Sequence, residues 1–103
     1  MTYAANVDGN QGEIVRVLRL AGYTVQVLNQ VKDGCPDLLV GAYGRNILLE
    51  VKNPEQDPCK RVLNDAEAKW HRTWRGQVAV VETPEEAIKM VRAVLERGRS
   101  ACS

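Results

Sequence analysis

The chain has no phenylalanine, and aromatic residues make up only 5% of it. Any core must therefore be assembled from aliphatic side chains. A disulfide framework is also missing. Cys35, Cys59 and Cys102 are odd in number, widely spaced and contain no CxxC pair. That excludes a stapled secreted scaffold, leaves a structural zinc site without its spacing, and points to a reducing cytosol. No stretch approaches about eighteen uninterrupted apolar residues, so no membrane span is expected. The opening MTYAANVDGNQGE has no basic segment leading into an apolar run and does not read as a signal peptide. Charge of one sign is not in excess either, since the formal net charge is +1. A polyanion would have to be met by a local patch rather than by an overall field.

Hydrophobic residues form 45% of the 103 positions. That suits one globular domain over 1–103, with no room for a second core. NQGEIVRVLRLAG carries Ile14, Val17, Leu18 and Ala21 at helical spacing, widened by Val15. Asn10 and Glu13 have capping-box spacing at its start, and Gly22 suits its end. YTVQVLNQV alternates as a strand, and KDG is a turn. Two further strands, roughly 36–42 and 46–52, meet at Tyr43-Gly44. NPEQDPCKR is a proline-broken loop. A second helix follows over LNDAEAKWHRTWRG, with Leu63, Ala66, Trp70 and Trp74 on one face, Asn64 and Glu67 as a capping box and Gly76 as its stop. QVAVVE has the composition of a strand buried within a mixed sheet. Thr83 and Pro84 open a last helix with Ile88, Val91 and Leu95 as its buried stripe, and 98–103 read as a frayed tail. The order α-β-β-β-α-β-α predicts a small mixed sheet covered by helices on both faces, an α/β fold.

The hairpin GCPDLLVGAYGRNILLEVKNP holds the chemistry. With the turn at Tyr43-Gly44, antiparallel partners pair Leu38 with Leu49, Val40 with Ile47 and Asp37 with Glu50. Leu38, Val40, Ile47, Leu49 and Val51 then share an aliphatic face. The opposite face carries Leu39 and Leu48, then Asp37 beside Glu50, with Lys52 two residues on. Directly opposed Cβ atoms lie about 5 Å apart, so two carboxylates there repel unless a cation joins them. Oxygen-ligated Mg²⁺, which takes one or two carboxylates plus waters, would resolve the conflict.

Pro36-Asp37 followed by Glu50-x-Lys52 across a hairpin resembles the PD-(D/E)-x-K pattern of restriction-endonuclease-like nucleases. More narrowly, GCPDLLV…ILLEVKNP…LNDAEAKWH…GQVAVVETPEEA resembles the VRR-NUC family over nearly the whole chain. The resemblance implies a restriction-endonuclease-like αβββαβ core with an added C-terminal helix. It implies a Mg²⁺- or Mn²⁺-dependent DNA endonuclease with no small-molecule cofactor. Free-standing members look like homodimers acting on branched DNA, including four-way (Holliday) junctions. Asp37 and Glu50 would bind the metal with the backbone carbonyl of Val51, and Lys52 would orient or activate the attacking water or stabilise the transition state. Glu13 is either a helix cap or a further metal-site carboxylate, and one residue can serve both roles. Glu67 stands where the family has a Gln, so it is either a catalytic-site partner or only the cap of its helix. The competing reading is a nuclease fold that binds nucleic acid or a protein without cutting.

Lys60, Arg61, Lys69, Arg72 and Arg75 form a candidate phosphate-contacting edge, with Arg16 and Arg19 weaker candidates. His71 reads as a polar surface group, Trp70 and Trp74 as core, and Cys35 as a small buried hydrophobe. A metal site from Cys35, Cys59 and His71 has no supporting spacing.

Overall fold

The computed structural model describes residues 9–102, with side chains described as far as Arg97. The elements are α1 (Gln11–Leu20), β1 (Thr24–Val27), β2 (Leu38–Ala42), β3 (Arg45–Val51), α2 (Asp65–Thr73), β4 (Val78–Val81) and α3 (Pro84–Cys102). A short 3-10 turn, Pro58–Lys60, lies between β3 and α2. The strands form one sheet in the order β1-β2-β3-β4. The first two pairings are antiparallel and β3–β4 is parallel. This is the small mixed sheet flanked by helices that the order of elements predicts.

The β2–β3 register pairs Leu38 with Leu49, Val40 with Ile47 and Ala42 with Arg45, as the hairpin pattern demands. It is set by a two-residue turn in which Tyr43 and Gly44 take φ values of 52° and 78°. Positive φ at both positions matches the right-handed twist of the flanking strands. Leu38, Val40, Ile47, Leu49 and Val51 are all buried on one face, where they meet Ile14, Val15 and Leu18 of α1 and Ala87, Val91 and Val94 of α3. Each such burial contributes roughly 1.5–3 kcal/mol for a Val, Leu or Ile side chain. Among the described residues, interdigitated aliphatics make up the fully buried core, with Tyr23 packed against its edge.

The ends of α1 and α3 follow local chemistry with one exception. Gly22, at φ 95°, lets the Gly22 and Tyr23 N–H groups return to the carbonyls of Arg19 and Leu18 and closes α1. At the start of α3, the Thr83 hydroxyl accepts from the Glu86 N–H at 3.1 Å. The expected Asn10–Glu13 capping box does not form. Asn10 makes no side-chain cap; its amide instead donates to the carbonyls of Lys52 (2.9 Å) and Glu82 (2.8 Å). These two bonds hold the Asn10 amide, leave its Oδ1 buried without a partner, and tie α1 to the ends of β3 and β4.

Four further expectations are corrected. β4 is an edge strand, with Val80 39% exposed. No α2 residue is buried, so Trp70 and Trp74 are not core; Trp74 is 46% exposed. In α3 the fully buried stripe is Ala87, Val91 and Val94, with Ile88 only partly buried. The backbone of α3 is helical through Cys102, across positions expected to be a tail. Residues 1–8, where the signal-peptide question arises, and Ser103 lie outside the described residues. No helix among the described residues is long and apolar enough to cross a membrane.

Candidate active site

Side chains of β3 alternate, so Glu50 and Lys52 point away from the aliphatic face on which Leu49 and Val51 lie. Asp37 stands immediately before β2, and its Oδ2 accepts the Val51 N–H at 2.8 Å. The same residue's carbonyl accepts from the Leu28 N–H at 2.7 Å. Asp37 is thus held from both neighbouring strands at the end of the hairpin. Glu50 is only 3% exposed, and its Oε1 is buried with no hydrogen-bond partner.

The third wall comes from α2. Asn64 caps this helix: its side chain accepts the Glu67 N–H at 2.8 Å, and Glu67 Oε1 accepts the Asn64 N–H at 3.0 Å. The capping box therefore orients the Glu67 carboxylate as well as starting the helix. The same Oε1 accepts from Lys52 Nζ at 2.9 Å, while Lys52 Nζ lies 3.6 Å from Glu50 Oε2. Glu67 is therefore the cap of its helix and also contacts Lys52.

Electrostatics follow from this packing. Burial, then the charges of Asp37 and Glu67, push the Glu50 carboxyl up to about 9, against the opposing pull of Lys52. Burial also acts on Glu67, but the Asn64 N–H, the Lys52 ammonium and a hydrogen bond with Glu50 outweigh it and hold Glu67 below its ordinary value. Burial disfavours the charged form of Lys52, yet the Glu67 hydrogen bond and the two carboxylates win and raise it. Lys52 is accordingly a fixed ammonium, suited to donating hydrogen bonds and stabilising negative charge rather than accepting a proton. His71 is lowered by burial, and its Nε2 is buried without a partner.

Gly34 holds α2 in place. At φ 85°, it packs so closely that a Cβ would collide with the Ala66 carbonyl and lie 2.9 Å from the Glu67 N. Gly34→Ala is expected to destabilise the protein by roughly 1–3 kcal/mol and to shift the first turn of α2 away from Lys52. Thermal melts, with cleavage assays on the folded fraction, check this. The pattern marks Gly34 only as a turn residue, because its contact with Ala66 is made across distant sequence.

The other sequence candidates separate. Glu13 is exposed on α1 and pairs with Arg16 at 2.6 Å. Arg61 pairs with Glu82 at 3.5 Å. Arg19 donates to the Val25 carbonyl at 3.0 Å. Lys60, Lys69, Arg72 and Arg75 are exposed. Among the described residues no group of three or more His, Cys, Asp and Glu side chains is arranged to hold a metal. A cation here would rest on two carboxylates, backbone and solvent, which is the habit of Mg²⁺. The unpartnered Glu50 Oε1 fits that role, since a buried acidic oxygen without a donor is what a cation would satisfy.

Asp37, Glu50 and Lys52 thus meet at one end of the β2–β3 hairpin in a mixed sheet of order αβββαβ with an added C-terminal helix. A solved structure described as a VRR_NUC domain superimposes with a TM-score of 0.58, covering 81% of this chain and 95% of that one at 22% identity. The chain therefore has the fold of a VRR_NUC domain. No family model and no curated protein matches the sequence.

Proposed function

We propose that the chain is a VRR-NUC nuclease that hydrolyses DNA phosphodiesters with Mg²⁺ or Mn²⁺. The observation that carries this reading is the buried Glu50, with an unpartnered oxygen, beside Lys52 and the Asp37 carboxylate. Asp37, Glu50 and the Val51 carbonyl would hold the cation. When bound, it would supply charge stabilisation at the phosphate and make water a stronger acid. Lys52, kept charged by Glu67, donates a hydrogen bond that orients the attacking water and stabilises the extra negative charge of the transition state. Asp37, fixed by the Val51 N–H, keeps the carboxylate pair aligned on one side of the phosphate. Glu67 positions Lys52. Glu13, paired with Arg16, is assigned no role in this reading.

The substrate follows from the resemblance: branched DNA such as a four-way junction, cut by a homodimer whose two-fold axis presents two sites symmetrically. A panel of labelled junction, flap and linear duplex DNA with Mg²⁺, Mn²⁺ or EDTA tests the reading. Cleavage is expected with either metal and not with EDTA, with paired nicks across the junction and a dimer mass in solution. Asp37→Ala is expected to lower cleavage on the order of 10³-fold with the fold intact by circular dichroism. Retained Mg²⁺-dependent activity in that variant would remove Asp37 from the site. The second reading, a non-cutting nucleic-acid or protein-binding module, is favoured by one contact: Lys52 is tied to Glu67 at 2.9 Å. Binding of the same DNA panel without cleavage under any metal would select it.

A further inference from the structure

The catalytic candidates sit at one end of the sheet, and the opposite end has a different character. The β2–β3 turn projects Tyr43, which is 83% exposed, followed by the exposed Arg45. The connection from α2 to β4 reaches the same end, because the Gln77 side chain donates to the Asn46 carbonyl at 2.6 Å and the Leu48 N–H donates to the Gln77 carbonyl at 3.0 Å. That connection carries Trp74 and the exposed Arg75. Trp74 stacks on Trp70 with ring centroids 4.5 Å apart and planes at 17°, yet it remains 46% exposed.

Two features ask for an explanation. Tyr43 occupies a left-handed position, at φ 52°, that Asn, Asp or Gly would fill with less strain. Its ring obtains no burial in return. Charge is also segregated: 40–47 and 72–79, the segments nearest this end, contain no Asp or Glu. The site end holds Asp37, Glu50, Glu67 and Glu82. Arg45 and Arg75, with Tyr43 and Trp74, are thus exposed at the end away from those four carboxylates.

We propose that Tyr43, Arg45, Trp74 and Arg75 form a DNA-docking surface, in which the arginines contact phosphates and the aromatic rings stack on an exposed base face. This rests on the reading of the chain as a DNA nuclease and adds how the DNA is held. Arginine binds the backbone without regard to sequence, and aromatic rings accept any base that is not already stacked. From Arg45 to Lys52 β3 spans about 23 Å at ~3.3 Å per residue. That is about seven steps of B-DNA at ~3.4 Å each, so the docked base lies roughly that far from the scissile phosphate. An unpaired or branch-point base would be held by the aromatic end while the flanking duplex crosses the carboxylates.

Equilibrium binding in EDTA, which prevents cleavage, tests this on two probes: a duplex with a short single-stranded flap and a hairpin-capped duplex without a free end. Wild-type protein is expected to favour the flap, with quenching of tryptophan fluorescence. Tyr43→Asn suits the turn and is expected to melt at the same temperature or higher, while losing about tenfold in affinity for the flap and little for the capped duplex. Arg45→Ala is expected to weaken both probes alike and to reduce the salt slope by about one. Equal flap binding by Tyr43→Asn and wild type, without tryptophan quenching, overturns the docking surface but leaves the nuclease reading intact. Failure of the wild type to bind any DNA overturns both. Loss of a dimer in Tyr43→Asn or Arg45→Ala, with DNA affinity per subunit unchanged, would instead make this end a face between two copies of the chain.

Discussion

Glu50→Gln is expected to abolish cleavage and at the same time to make the metal-free protein more stable. Activity falls on the order of 10³-fold, because a neutral amide cannot replace a carboxylate as a cation ligand. Stability rises because the wild-type carboxyl is 3% exposed and pushed up to about 9, with burial as the first cause and Asp37 and Glu67 next. Its folded value lies above the ordinary 4.5, so the folded protein keeps a proton that the unfolded chain releases. The contribution of Glu50 to stability is therefore fully present below about pH 4.5 and is lost as pH rises toward 9. Glu67 is shifted the opposite way, so its contribution is lost only on acidification through its lowered value. The raised Lys52 loses its contribution only as pH passes its own elevated value. Between about pH 7 and 9 the slope belongs mainly to Glu50, since the lowered His71 adds an opposite slope only below its ordinary 6.5. Melts in EDTA across that range should show wild type losing stability while Glu50→Gln stays level, a divergence on the order of a few kcal/mol at the alkaline end. Parallel curves would show that Glu50 carries no such strain, and retained cleavage would remove it from the metal site.

Lys52→Met is expected to cost both activity and stability, which distinguishes it from the Glu50 change. The Nζ group lies between Glu67 Oε1 at 2.9 Å and Glu50 Oε2 at 3.6 Å, with 13% of the side chain exposed. Methionine keeps most of the apolar stem but leaves Glu67 ionised without its cation. The penalty is roughly 1–3 kcal/mol, as for a part-buried partner left unpaired. The loss should be largest above the pH at which Glu67 ionises, since a protonated Glu67 no longer needs the ammonium. Cleavage falls on the order of 10³-fold, because the donor aimed at the developing phosphate charge is gone. A split of kcat from KM is the informative measurement. Because Lys52 acts on the transition state, kcat should fall while KM for DNA changes little. A change confined to KM would reassign Lys52 to ground-state binding of the phosphate.

The two variants also separate structure from chemistry. Lys52→Met removes the cation that contacts Glu50 and Glu67, whereas Glu50→Gln removes the ionisable group that makes the cluster costly. Opposite stability effects with the same loss of cleavage would mark the cluster as a site kept for function at the expense of fold stability.

Much of this was legible from residue order alone, for reasons that are local. Strand alternation has a period of two, so one turn at Tyr43-Gly44 determined the pairing of Leu38 with Leu49 and the face of Glu50 and Lys52. The Asn64–Glu67 box and the Gly22 helix stop depend on residues a few positions apart, and both were readable. What required the tertiary structure was every choice between competing partners. Asn10 could cap α1, but the carbonyls of Lys52 and Glu82 lie within its reach. Glu13 could join a metal site, but it sits beside Arg16 on an exposed helix face. Trp70 and Trp74 have the spacing of core residues, but α2 presents no buried position. Periodicity reports which residues share a face and is silent about what that face meets. The sequence by itself determined the hairpin, its register and the placing of Asp37, Glu50 and Lys52 at one end. Only the packing of α2 against Gly34, across thirty-odd residues of chain, decided that Glu67 would hold Lys52 and that the connection after α2 would reach the opposite end, where Gln77 bonds Asn46.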